Sequence, residues 1–260
     1  MDLAILDGTV LPASGATIPI TDEGLLRGDG VFEVIRLYAG VPHALAAHLE
    51  RMASSAANLR LELSPMDVRA DVEALLAAAG PVDAALRILV TRGGRRIGLI
   101  EPLKALPATI ALGTVAFAPT RVMDGVKSLS YAANMLARRL AQEQGADDAL
   151  LLTPHGRVLE GPTAAFFAVL DGALITPPLS DHILDSITRR TVMAVSDARE
   201  KVLIREELPR LTEAFLASTL REVHPVHAID AVALSAAPGP RTAVVAEAVQ
   251  ARIGEELGAA

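Results

Sequence analysis

Val126-Lys127-Ser128-Leu129-Ser130-Tyr131-Ala132-Ala133-Asn134-Met135-Leu136 places a lone lysine where a short extended run gives way to a helical one. Its neighbours are apolar or small. A lysine held by rigid elements and shielded from water has a depressed pKa and enough neutral amine to add to an aldehyde as a Schiff base. At a strand end the same residue is far more often a solvated charge. Lys127 alone reads either way, and the flanking chain has to discriminate.

Immediately upstream, Pro119-Thr120-Arg121 and Asp124-Gly125 gather turn residues. They read as a linker over 119–125 between a smaller α/β part, 1–118, and a larger one, 126–260, that carries the lysine. Clefts between domains commonly hold small molecules. Earlier still, residues 3–11 form a hairpin pattern around Asp7-Gly8, and Val31 to Tyr38 is a β-branched and aromatic strand. Leu45, Leu49, Met52, Ala56 and Leu59 mark one helix, with Arg51 and Arg60 off its apolar stripe. Ser64-Pro65 opens another, which Gly80 closes. Strands are predicted at 85–91 and 108–118, with a basic loop, Arg92-Gly93-Gly94-Arg95-Arg96-Ile97-Gly98, between them.

Downstream, a helix runs from about Tyr131 towards Gly145, and short strands follow at 149–153, 157–159, 166–170 and 173–176. Ser186-Ile187-Thr188 starts a helix, 211–215 looks helical, Ala217-Ser218-Thr219 reads as a turn, and 223–234 is extended. Val245, Val249 and Ile253 stripe the last helix.

Composition narrows the functional classes. Hydrophobic residues make up 51% of the 260 and charged residues 21%, as in a soluble globular protein. A net charge of -7 argues against a nucleic-acid or anionic-membrane surface. Any bound anion therefore needs a local cluster of donors. The lack of cysteine removes disulfides, thiolate metal ligands and a cysteine nucleophile, and is compatible with the cytoplasm. No metal-ligand pattern emerges, and no apolar run reaches membrane-spanning length.

Several motifs then occur in one order: Arg27-Gly28-Asp29-Gly30-Val31-Phe32-Glu33, His48-Leu49-Glu50-Arg51, Val90-Thr91-Arg92-Gly93, the lysine segment, Val158-Leu159-Glu160-Gly161, Ser186-Ile187-Thr188-Arg189, and Ser218-Thr219 with Glu222-Val223. Together they resemble the class IV aminotransferases, the pyridoxal-phosphate-dependent group that contains branched-chain and D-amino acid aminotransferases and aminodeoxychorismate lyase. The resemblance covers about 7–240. It implies a two-domain α/β (α+β) fold of the D-amino acid aminotransferase type, paired as a homodimer.

By the same resemblance, Lys127 is the Schiff-base lysine and proton shuttle, and Glu160 faces the pyridine nitrogen of pyridoxal 5'-phosphate. Arg51, Ile187-Thr188 and Ser218-Thr219 would take the phosphate, and Tyr131 the phenolic oxygen. Free helix N-terminal amides and a forked guanidinium suit a phosphate. Phe32, Arg95, Arg96 and Arg221 are candidates for the substrate, the arginines for its carboxylate.

Two departures bear on this expectation. Where the family commonly has Ser-Asn after Glu-Gly, this chain has Gly161-Pro162-Thr163-Ala164-Ala165, which removes side-chain hydrogen bonds. The strand Ala85-Leu86-Arg87 lacks the tyrosine pattern of branched-chain enzymes, and the arginine-rich loop is closer to the D-amino acid or lyase branch. The main reading is a transaminase between an amino acid and a 2-oxo acid. A lyase releasing pyruvate is the alternative, opposed by Val34 in the place of a threonine important in that lyase. A non-catalytic cofactor-binding protein is the third.

Overall fold

The structure, a computed structural model, describes residues 2–258. The chain forms two compact units. One contains residues up to Lys104 together with Gly125–Tyr131, and the other contains Ala105–Asp124 together with the residues from Ala132 on. The division differs from the composition-based one at both ends of the linker: Lys127 belongs to the first unit, and the strand expected at 108–118 belongs to the second.

The first unit is a six-stranded antiparallel sheet with two helices on one face. Its elements are β1 (Ala4–Leu6), β2 (Thr9–Leu11), the short helix α1 (Glu23–Arg27), β3 (Gly30–Tyr38), β4 (Val41–Pro42), α2 (Leu45–Asn58), α3 (Pro65–Ala79), β5 (Ala84–Thr91) and β6 (Arg96–Pro102). Strand order is β2-β1-β6-β5-β3-β4. Asp7 and Gly8, at φ 48° and 87°, make the predicted hairpin turn. Ser64 caps α3 by accepting from the Asp67 N–H, with Pro65 in its first turn. β6 lies where the basic loop was expected to continue; only Arg92–Arg95 turn, and Ile97 pairs with Leu89 of β5.

Alternation along β3 builds the core. Val31, Ile35 and Leu37 are fully buried with Leu86, Ile88 and Val90 of β5 and with Leu49, Met52 and Ala56 of α2. Glu33 lies in the same alternation, opposite Ile88, and is itself fully buried. A carboxylate is thereby delivered to an apolar face, where it must find cations or be neutralised.

The second unit is an eight-stranded mixed sheet. It comprises β7 (Ile110–Ala116), α4 (Ala132–Glu143), β8 (Asp148–Leu152), β9 (Ala165–Leu170), β10 (Ala173–Thr176), α5 (Ile187–Val195), β11 (Arg199–Glu200), β12 (Leu211–Ser218), β13 (Glu222–Ile229), β14 (Val232–Ala233) and α6 (Pro240–Gly258). The order is β11-β10-β9-β12-β13-β7-β8, with β14 beside β13. β7 runs parallel to both β8 and β13, which is why it leaves the first sheet. Leu211 to Phe215 is strand, contrary to the helical expectation: β12 lies between β9 and β13, and Ala214 to Ala217 are buried on both faces. Val245, Val249 and Ile253 are buried on α6 as predicted. Among the described residues no helix is long and apolar enough to cross a membrane.

Candidate active site

The lysine segment attaches to β3 through its backbone. Phe32 N–H donates to the Lys127 carbonyl at 3.1 Å, Leu129 N–H to the Gly30 carbonyl at 2.9 Å, and Val31 bridges Ser128. Glycine permits this approach. A Cβ on Gly30 would fall 2.5 Å from the Val90 carbonyl oxygen and 2.6 Å from Leu129 Cδ1. The remaining backbone group of Lys127 is also held, since its N–H donates to Ser55 Oγ at 3.1 Å. Both peptide groups of the lysine are thus fixed, one by a strand and one by a helix.

Two aromatic rings flank the amine. Lys127 Nζ lies 4.2 Å from the Phe32 ring centroid and 5.6 Å from that of Tyr131, and the two rings meet edge to face at 5.2 Å. Phe32, expected at the substrate, and Tyr131, expected at the cofactor, both stand at the lysine. Ring faces at these distances attract the amine and fix where it stands.

Beside this, one edge of α2 carries a polar line at steps of three and four: His48, Arg51 and Ser55. His48 Nδ1 is 2.8 Å from Glu33 Oε2. Arg51 donates to the same carboxylate twice, from Nε to Oε1 at 2.7 Å and from Nη2 to Oε2 at 2.6 Å. Arg51 was expected off the apolar stripe and is so, yet its side chain is only 9% exposed, because the pair with Glu33 draws it in. Burial alone would raise the Glu33 pKa, but the hydrogen bonds from His48 and Arg51 outweigh it and bring the pKa down to about 2. The His48 pKa is lowered, mainly by burial and against the pull of Glu33. A neutral ring then donates Nδ1–H to Glu33, and its buried Nε2 has no hydrogen-bond partner.

The candidates of the second unit form their own group. Glu160 Oε1 accepts from the Leu184 N–H at 3.0 Å, and Ser186 N–H returns to the Leu184 carbonyl at 2.8 Å. Ser186 caps α5 by accepting from the Arg189 N–H at 3.3 Å, and Ile187 and Thr188 are buried in the first turn. The N–H groups of a first turn lack acceptors within the helix. Ser218 closes β12, and Arg221 N–H donates to its carbonyl at 3.1 Å, so Ser218-Thr219 lies in the β12–β13 turn. In the departed segment the backbone supplies what side chains do not: Gly161 N–H donates to the Ala164 carbonyl at 2.8 Å, and the Asn134 amide donates to the Pro162 carbonyl at 3.0 Å.

The three candidate substrate arginines already hold carboxylates. Arg95 reaches Asp7 at 2.6 Å, Arg96 reaches Asp71 at 2.7 Å, and Arg221 pairs with Asp148, which is 2% exposed. Sequence reasoning gave no role to Glu33, His48 or Ser55, although the first two stand inside quoted motifs. The signal for Glu33 was present: a glutamate in phase with Val31, Ile35 and Leu37 must face the core.

Comparison with known proteins shows the family. The family model described as amino-transferase class IV matches residues 30–229. The chain belongs to the class IV aminotransferases. It is similar to a putative branched-chain-amino-acid aminotransferase of Methanocaldococcus jannaschii, 33% identical over 86% of this chain and 87% of that protein. It is also similar to the D-alanine aminotransferase of Bacillus licheniformis, 30% identical over 97% of each. Among solved structures, the PLP-bound form of a hypothetical aminotransferase from Mycobacterium tuberculosis superposes with a TM-score of 0.85 at 27% identity, covering 96% of this chain and 98% of that one.

The donor set of this class IV chain fits such a cofactor. A phosphorylated aldehyde needs an amine, anion donors and a carboxylate, and Lys127, Arg51, the α5 first turn and Glu160 are groups of those kinds.

Proposed function

We propose that this class IV chain is a pyridoxal-phosphate-dependent transaminase, a homodimer of the cytoplasm, that moves an amino group between an amino acid and a 2-oxo acid. One observation carries the reading: the backbone of Lys127 is fixed by Phe32 and Ser55 while its amine stands against two aromatic rings. A lysine mounted in this way has a defined reach, as a nucleophile and proton carrier requires. The matched aminotransferases rank this reading above the lyase and the non-catalytic protein. Their two substrate classes are branched-chain amino acids and D-alanine, so the donor is an aliphatic amino acid.

Bound cofactor supplies an electron sink for the substrate α-carbon. Lys127 would hold the cofactor and then carry the proton at Nζ, with Tyr131 and Phe32 fixing where it stands. Arg51, Ile187-Thr188 and Ser218-Thr219 would bind the phosphate, and Glu160 would keep the ring nitrogen protonated, since a carboxylate stabilises the cationic form. Substrate carboxylate would exchange with an aspartate on Arg95, Arg96 or Arg221. The Arg95–Asp7 pair, with side chains 38% and 29% exposed, opens at least cost, and the buried Arg221–Asp148 pair at most.

The test is reaction of the purified, cofactor-loaded protein with a panel of L- and D-amino acids. Spectral conversion to the amine form by an aliphatic donor is the expected result. A borohydride-reduced sample should carry its label at Lys127. Label elsewhere, or no response to any donor, refutes the proposal.

A further inference from the structure

The core face of β3 contains one carboxylate, and its position raises a question that the transaminase reading leaves unanswered. Glu33 is fully buried and accepts from Nε and Nη2 of one guanidinium and from the His48 ring. Replacing such a pair as a whole, both partners together, by well-packed hydrocarbon would commonly cost the fold little, so stability alone does not explain why the pair is there. Its use is therefore sought in what it holds. A side-on pair through Nε and Nη2 sets both the position of the guanidinium and the plane in which it lies, leaving the long arginine stem one conformation. His48, from the preceding turn of α2, fixes the carboxylate in turn.

Resting on the transaminase reading, we infer that Glu33 is a positioning residue for the cofactor phosphate: it acts through Arg51, holding that guanidinium in the orientation that meets the anion, with His48 steadying Glu33. The carboxylate has two opposed effects on an arriving phosphate. It partly neutralises Arg51 and so weakens the attraction, and it preorganises the fork and so strengthens it. A guanidinium carries five N–H donors, of which the Glu33 pair uses two, and its value to a phosphate depends on the geometry of the fork more than on the charge alone. Orientation decides the sign. Loss of Glu33 should weaken binding, whereas a charge effect would tighten it.

The test compares pyridoxal 5'-phosphate with pyridoxal, which has the same aldehyde and ring without the phosphate. Dissociation constants of both are measured by spectral titration of cofactor-free full-length protein for wild type, Glu33→Gln, His48→Gln and Arg51→Lys. Glu33→Gln should lose about 10-fold or more in affinity for the phosphorylated compound, the lower end of what is lost when the residue orienting a metal ligand is removed, while pyridoxal affinity stays unchanged. His48→Gln should shift the ratio in the same direction by less. In an Arg51→Lys background, Glu33→Gln should change the ratio no further, because the fork it orients is gone.

A ratio unchanged or raised in Glu33→Gln overturns the inference, as does an equal loss for both compounds. Should Glu33→Gln fail to fold, as near-ultraviolet circular dichroism would show, the His48→Gln ratio decides by the same criteria. A wild-type protein that binds pyridoxal as tightly as its phosphate would instead refute the phosphate role of Arg51, and one that binds neither would refute the transaminase reading itself.

Discussion

Two groups of arginine–carboxylate pairs within the first unit differ in almost every respect except chemistry. Under α2, Arg51 and Glu33 are 9% and 0% exposed and share His48. In the turn after β5, Arg92 and Arg95 meet Asp29 and Asp7 with every side chain at least 29% exposed. Water screens the second group, so its pairs settle loop geometry at small energetic value. The first group is desolvated and hydrogen-bonded on several sides, so removing one member leaves a buried charge without its counter-charge. Charge on a sequence says nothing about which of these regimes applies; burial does.

The two groups should respond most differently to loss of their carboxylate, and Glu33 is the extreme case. Glu33→Ala should destabilise the protein by about 3–5 kcal/mol, the cost of leaving a buried cation unpaired, read as a lower denaturant midpoint with an unchanged slope. Acid should act through the same residue. Its folded pKa of about 2 lies below the ordinary 4.5, despite a burial effect in the other direction. The linked stability, about 3 kcal/mol, is therefore fully present above pH 4.5 and lost as pH falls from 4.5 towards 2. His48 adds to the decline at higher pH: its lowered pKa means that below about 6.5 the unfolded chain takes up a proton that the buried ring resists. Denaturant titrations of wild type and Glu33→Gln at several pH values separate the two contributions. The loss between 4.5 and 2 should shrink in the variant to the smaller share carried by the more exposed carboxylates Asp7, Asp197 and Glu207, and a loss as large as in wild type would show that Glu33 does not carry it.

A second measurement sharpens the boundary of the buried group. Ser55 is fully buried, and its Oγ accepts the Lys127 N–H. Ser55→Ala leaves that N–H without its acceptor and should cost about 1–3 kcal/mol in stability. The lysine would lose one of its two backbone anchors, so kcat should fall more than KM rises. An effect confined to stability would mean that the pairing with Phe32 suffices to place the amine.

Much of this organisation was legible in the sequence. The Asp7-Gly8 hairpin, the Ser64 cap, the α2 and α6 stripes and the motif order all involve local signals, which neighbouring residues carry complete. β6 and β12 were not legible for related reasons. Arg96-Ile97-Gly98 has poor strand propensity, and it is strand because Ile97 and Gly98 pair with both β5 and β1. Leu211 to Phe215 has no clear period because a central strand is buried on both faces. The arginines show the same limit from another side. Asp7 and Arg95 are 88 residues apart, and nothing near either names the other.

The smallest predicted effects lie in that exposed group. Arg95→Ala should change stability by less than about 1 kcal/mol, since Asp7 returns to water without penalty. Arg96→Ala should cost more, because its partner Asp71 is 9% exposed and loses its counter-charge in place. The functional arm of the same experiment reverses charge and measures substrate KM. If substrate carboxylate displaces Asp7 from Arg95, then Arg95→Glu raises KM while the melting temperature barely moves, a combination that no buried pair can produce. If KM holds through charge reversal at Arg95, Arg96 and Arg221 alike, the loop arginines serve only to tie the turn to Asp7 and Asp71, and carboxylate recognition belongs to other residues.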